Sequence, residues 1–581
     1  MTAQPQAGQG MGIIARIEQF WLQQDSCSRR GPLLGMMAVM ALLLTIQNPL
    51  WYGMAPAFDA SVFASMGKMW ADGDVLYRDM IDIKGPVIFL LDAIGYKLGG
   101  FRGMALFETV LLTLGLYSTW QALALLALRP LARFAALLGV LGLIGFRYYY
   151  GNMTEDWAFC LALVAQYSFM RLLVDGRFSW QQAWIPALTV GLVALLRMNN
   201  AAFWAGWYPV LFLGWCWQGK WRDALALLAS ALLGIAVVAV PLVAYFNHHG
   251  VLQDFWFYGY AIFMGNNYGN GHSLSVGAVG VFRTGLILLL PGVLWLLHHW
   301  QHDLPARAPR VWTSLAAVLV LGTVASVVAN SVSGHIYDHY DQIVLAFLPL
   351  PLALLCQAAP ALRERTGLIA GMTLVAWVVY LVVPHLFFVW TRFEWPMAQV
   401  VKVLATAAVV ALLAAVALVM GLKVPQGERL IRRGAVVLLG VVPCLLLAYS
   451  VYYGLISGRP FNARGWQQVQ QVRAETAPQD RIWVEGTIPQ FYVWADRKAA
   501  SPYLFFDNVS PGYDVKARVL ADLQRVQPKF VVVRSRLLDS YTQQPESLSA
   551  SRQAMFAYLY AHYDLVQPGL FRIKGWQPVT P

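Results

Sequence analysis

The chain has 581 residues, 58% of them apolar and 12% charged. Soluble domains run about 45–50% apolar and about 25% charged, which excludes an ordinary soluble enzyme, a disordered chain and a nucleic-acid-binding domain. The formal net charge of +12 is a topology signal, because the basic residues sit in short loops between apolar runs.

A helix that crosses a bilayer needs about 20 mostly apolar residues. After a cytoplasmic tail (1–32), candidate spans fall near 33–50, 104–127, 134–149, 156–173, 182–196, 201–217, 223–245, 281–298, 311–330, 341–357, 366–389, 399–421 and 434–456. These thirteen spans predict an α-helical polytopic membrane protein. A further run, 85–97, is short and holds Asp92, so it reads as a re-entrant or interfacial helix. Ala55-Pro56-Ala57 mimics a cleavage site, but the first apolar run is longer than a signal-peptide core and reads as a retained span.

A cytoplasmic N-terminus places Arg29/Arg30, Arg129/Arg133, Arg171/Arg177, Lys220/Arg222, Arg307/Arg310, Arg363/Arg365 and Lys423/Arg429/Arg432/Arg433 in inside loops. Most outside loops carry one basic residue or none, as the positive-inside rule requires. The odd count then puts residues 457–581 outside, in the periplasm. That region reads as a small α/β domain. "DRIWVEG" (480–486) and "PKFVVV" (528–533) are buried strands. "YDVKARVLADLQRV" (513–526) is an amphipathic helix with Val515, Val519, Leu520 and Leu523 on one side. The five cysteines show no metal or redox spacing, and no disulfide framework follows. No internal repeat and no phosphate-cradling glycine motif is present.

Ionisable residues at a membrane are costly and mark function by default. Here they gather in the outside loops. The long first loop (51–84) carries Asp59, Asp72, Asp74, Asp79, Asp82 and Lys84. Asp59 precedes an amphipathic helix with Val62, Phe63, Met66, Met69 and Trp70. "DGD" is a turn signal, so Asp72 and Asp74 read as solvated, whereas Asp59 and Asp82–Lys84 abut membrane elements. Glu155 and Asp156 open the fourth span, where acids also stabilise a helix N-terminus and Thr154 can cap it. "RMNN" places Arg197 at a boundary where a lone Arg also snorkels. The loop 246–280 is rich in glycine, asparagine and aromatic residues, as interfacial belts are. "SGHIYDHYDQ" holds His335, Asp338, His339 and Asp341, in a spacing that matches no standard metal template. Jointly, acids, cations and histidines from four loops converge on one membrane face, which predicts a site there.

The segments "YRDMIDIKGP", "GNMTEDWA", "LLRMNN", "HYDQ" and "DRIWVEGTIPQFYVWADRK" together resemble bacterial GT-C glycosyltransferases. These are related to the protein O-mannosyltransferases and the aminoarabinose lipid A transferases. Gly85 stands where many relatives have a second proline. The resemblance implies an inverting transfer of a sugar from a polyprenyl-phosphate donor to a glycan, lipid or protein of the cell envelope, at the periplasmic face of the inner membrane. It implies Asp59 as general base, with Glu155 or Asp156 orienting acceptor or sugar, or holding a metal where one is used. Lys84 would contact the donor phosphate, with Arg197 and His339 as further candidates. Asp82 and Tyr340 are expected to contact substrate. No cofactor is specified; a divalent metal is conceivable and not required. A transporter or flippase of lipid-linked glycans is the alternative of another class. It would place ionisable groups near the bilayer midplane, often with repeat symmetry. A ligase or polymerase would concentrate them in a late loop. The C-terminal domain could bind acceptor, cap the site or support it.

Overall fold

The computed structural model describes residues 30–53, 57–145, 148, 151–261, 309–331, 338–358, 463–486, 488–504 and 514–576. The expected spans 281–298, 366–389, 399–421 and 434–456 lie outside these residues, as does His335.

The N-terminal part is helical. It comprises α1 (Arg30–Thr45), α2 (Phe58–Ala71), α3 (Val87–Ala124), α4 (Pro130–Gly145), α5 (Thr154–Asp175), α6 (Trp180–Leu196), α7 (Ala202–Trp217), α8 (Trp221–His248), α9 (Leu252–Trp256), α10 (Pro309–Ser331), α11 (Gln342–Leu345) and α12 (Pro349–Ala358). Among the described residues α5 and α8 are long and apolar enough to cross a membrane. They play opposite parts. Helix α5 is largely buried and packs along α3 and α6. Helix α8 turns Leu225, Leu228, Leu232 and Val240 outward, and such an all-round apolar helix is at home against lipid.

The short run at 85–97 becomes the first leg of α3. The helix breaks at Gly99 and Gly100, and Gly100 has φ +60° and ψ −151°, a conformation essentially reserved for glycine. The chain folds back on itself there. A Cβ at Gly95 would lie 2.6 Å from Met104 Cα, and one at Gly103 would lie 2.1 Å from Gly95 O. The two legs therefore touch backbone to backbone.

Two expectations about spans need correction. The run 341–357 is not one helix: a turn at 346–348 separates α11 from α12, and Pro349, which opens α12, suits a helix start better than an interior. Arg133 is not a loop residue. It lies within α4, buried, with its guanidinium 4.3 Å from the centre of the Trp120 ring, and the aromatic face offsets part of the cost of burying charge.

The C-terminal part is the expected small α/β domain. It runs α13 (Ala463–Glu475), β1 (Arg481–Glu485), α14 (Gln490–Ala495), β2 (Lys498–Ala499), α15 (Val515–Val526), β3 (Phe530–Val533), α16 (Ser535–Gln543), α17 (Ala550–His562), β4 (Tyr563–Gln567) and β5 (Leu570–Ile573). The sheet order is β2-β1-β3-β5-β4, with β2, β1 and β3 parallel and β5 antiparallel to β3. Residues 482–485 and 530–533 are buried without alternation, as central parallel strands are. Helix α15 is capped by Asp514, which accepts from Ala517 N at 3.0 Å, and it buries Val515, Val519 and Leu523.

This domain docks on the first loop. Arg481 meets Asp74 Oδ1 at 3.1 Å, Lys498 meets Asp74 Oδ2 at 2.9 Å, and Lys68 meets Asp496 at 3.3 Å. Ile81 N donates to Pro502 O at 2.8 Å. The reading of Asp74 as a solvated turn residue is therefore overturned. Asp74 is buried between two cations supplied from about 400 residues downstream, with Asp72 exposed beside it and 3.0 Å from Lys68.

Candidate active site

Helix α2 forms because Val62, Phe63, Met66 and Met69 fall on one side and are buried together. Its first turn carries Asp59, half-buried at the mouth of the helix. The Asp59 carboxylate makes no hydrogen bond or ion pair among the described residues.

The loop returning from α2 delivers Asp82 and Lys84. Tyr77 anchors it. The Tyr77 ring packs against Phe246 and Phe255 at 5.4 and 5.7 Å, and its hydroxyl donates to Lys84 O at 3.0 Å. Asp82 Oδ1 accepts from Lys84 N at 2.9 Å, while its Oδ2 is buried without a hydrogen-bond partner among the described residues. Burial, with the charge of Asp59 added, pushes the Asp82 carboxyl up to about 6 against the opposing pull of Lys84. The half-buried Lys84 ammonium has no hydrogen bond or ion pair among the described residues.

Glu155 and Asp156 begin α5 and point to different tasks. Glu155 is buried. Thr154 Oγ1 donates to its Oε2 at 2.8 Å and Arg197 Nη1 donates to its Oε1. The Arg197 guanidinium lies 4.2 Å from the centre of the Tyr340 ring. Asp156 instead turns back on its own helix and accepts from Met153 N at 3.0 Å. The helix cap is thus Met153 with Asp156 three residues on, and the Thr154 hydroxyl serves Glu155 and does not cap.

His339 closes the group. It is buried and senses Glu155, Arg197, Asp59 and Lys84; burial, followed by the repulsion of Arg197 and Lys84, holds its imidazole below the usual value despite the two acids. Asp59, Asp82, Lys84, Glu155, Arg197, His339 and Tyr340 come together; Asp156 sits behind them. Among the described residues, no three His, Cys, Asp or Glu side chains converge as a metal-ligand set.

The sequence reading missed what lies beneath. Glu108, buried in α3, accepts from Tyr148 Oη at 2.7 Å, Asn48 Nδ2 at 3.2 Å and Asn152 N at 3.3 Å. Asn152 Nδ2 donates in turn to Asp92 Oδ2 at 3.0 Å and to Ala60 O at 3.3 Å, and Asn152 Oδ1 accepts from Trp157 Nε1 at 3.1 Å. This network ties the residue after Asp59 to the first turn of α5. A charge inside the run 104–127 was the available signal.

No protein-family model and no curated protein matches the sequence. Solved structures do. ArnT from Cupriavidus metallidurans, bound to undecaprenyl phosphate or in the apo state, is 16% identical over 90% of this chain and 96% of its own, with a TM-score of 0.52. The Archaeoglobus fulgidus oligosaccharyltransferase tethered with an acceptor peptide is 12% identical over 96% of this chain and 75% of its own, with a TM-score of 0.41. At such identities the likeness is one of fold, and ArnT carries it across nearly the whole of both chains. This chain has the fold of ArnT.

Proposed function

We propose that the protein is an inverting glycosyltransferase. It moves a sugar from a polyprenyl-phosphate donor to a glycan, lipid or protein of the cell envelope, at the periplasmic face of the inner membrane. The observation that carries this reading is the contrast in commitment among the charges. Glu155 and Arg197 are tied to each other, whereas Asp59 and Lys84 have no such partner among the described residues although Asp82 and His339 sense both.

A carboxylate and an ammonium that are both unpaired among the described residues, and that both act on Asp82 and His339, suit displacement at an anomeric carbon. Asp59 takes the proton of the acceptor hydroxyl. The acceptor oxygen bonds to the anomeric carbon as the bond to the phosphate oxygen breaks, and the electron pair leaves with the lipid phosphate. Lys84 stabilises that growing charge, which is worth most in a site shielded from water. Arg197, held over the Tyr340 ring and paired with Glu155, gives a second, weaker contact to the anion. His339 lies against Glu155 and Arg197, where it helps to shape the anion site. Asp156 maintains the helix that presents Glu155. The ArnT structure with undecaprenyl phosphate supports a polyprenyl phosphate as the lipid partner.

Mass spectrometry of envelope glycans from a strain lacking the gene should show one sugar missing. The wild-type gene should restore it and Asp59→Asn should not, with the variant present at normal level in the membrane. A general base contributes about 10²–10⁴-fold, so restoration by Asp59→Asn to near wild-type amounts would refute the assignment.

A further inference from the structure

We infer that the C-terminal domain is a clamp that positions Lys84, with Asp74 as its positioning residue. The inference rests on the reading of Lys84 as the donor-phosphate contact.

The loop between α2 and α3 makes two kinds of attachment. On the membrane-domain side Tyr77 sits among Phe246 and Phe255 and holds Lys84 O. On the other side every attachment comes from the C-terminal domain. Arg481 and Lys498, at the first residues of β1 and β2, grip Asp74 at 3.1 and 2.9 Å. Asp496 reaches Lys68 on the last turn of α2 at 3.3 Å. Pro502 O, just past β2, takes the N–H of Ile81 at 2.8 Å.

The path to the site is then three residues long. Ile81 is followed by Asp82, whose Oδ1 accepts from Lys84 N at 2.9 Å. The loop meets the domain at Asp74 and again at Ile81, and Lys84 follows three residues later. Asp74 is buried and doubly paired, unlike an exposed ion pair of little consequence; removing its charge costs Arg481 its carboxylate and leaves Lys498 only the more distant Asp72, 3.9 Å away. The loop then keeps only the Ile81–Pro502 hydrogen bond and the Lys68–Asp496 pair to the domain, and the ammonium of Lys84 is held less firmly.

The test is direct binding of undecaprenyl phosphate to the full chain in nanodiscs, read together with the thermal midpoint. Asp74→Asn should weaken binding about five- to tenfold. Lys498→Met, a milder change, should weaken it less. The exchange of Asp74→Lys with Lys498→Asp should recover most of the loss. Lys84→Ala should remove most binding and serves as the control. If Asp74→Asn lowers the midpoint while its Kd and that of Lys498→Met stay at the wild-type value, the contact is structural only and the clamp is wrong, with the site reading intact. If Lys84→Ala binds normally, the site reading fails and the clamp falls with it.

Discussion

Asp82 is buried beside Lys84 and within reach of the Asp59 charge, and its carboxyl titrates at about 6 against an ordinary value of 3.8. The folded protein therefore holds this proton more tightly than the unfolded chain does. The stabilisation is fully present below the unfolded value and is lost as pH rises through 6. Two units correspond to about 3 kcal/mol, so the thermal midpoint of the wild type should fall between pH 4 and 7. Asp82→Asn should abolish that part of the fall, and equal pH profiles of the two proteins would contradict it. At this scale the sequence was partly legible. Asp59, Lys84, Glu155, Arg197 and His339 stood out because charge beside apolar runs is costly, whereas Tyr340 came only with the resemblance. Asn152 and Asn48 did not, because a neutral amide gives no such signal and the partners that tie them into the network, Glu108, Asp92 and Ala60, lie 44 to 92 residues away. Asp74 was misread because "DGD" looks the same in water as under a domain.

The break in α3 makes a sharp prediction about two neighbouring glycines. Gly100 has φ +60°, whereas Gly99 has φ −174°, extended backbone that any residue adopts. Gly100→Ala should cost about 1–3 kcal/mol and lower the thermal midpoint, while Gly99→Ala should change it little; equal effects would refute this account of the turn. Helices with one strong periodicity, α2 and α15, were legible from their apolar spacing, and so were β1 and β3 from their unbroken apolar runs. The β4–β5 hairpin was not. Its strands are half-exposed and mixed in character, and only antiparallel pairing with β3 gives them a place. The division of 341–357 into α11 and α12 was readable in principle, because Pro349 and Pro351 fall inside the run.

For the whole molecule, the proposed reaction demands that Asp59 and the C-terminal domain share one side of the membrane, and the docked contacts to Asp74 demand the same. Reporter fusions after residue 59 and after residue 581 should both report a periplasmic position. A cytoplasmic signal at either would overturn the orientation argued from the Lys/Arg pattern. A largely helical chain with a small C-terminal sheet domain was legible at this scale, since composition and apolar runs determine it. How the terminal domain sits was not, because it depends on pairing between positions 74, 481 and 498, which no local pattern encodes.

Asp74 has a consequence for how the enzyme is made. Its two counterions are synthesised some 400 residues after it, once all the intervening helices have left the ribosome. Until then the nascent chain lacks the contacts proposed to position Lys84. On that proposal, a chain that stalls part-way through its insertion holds the loop of Asp74 without its clamp.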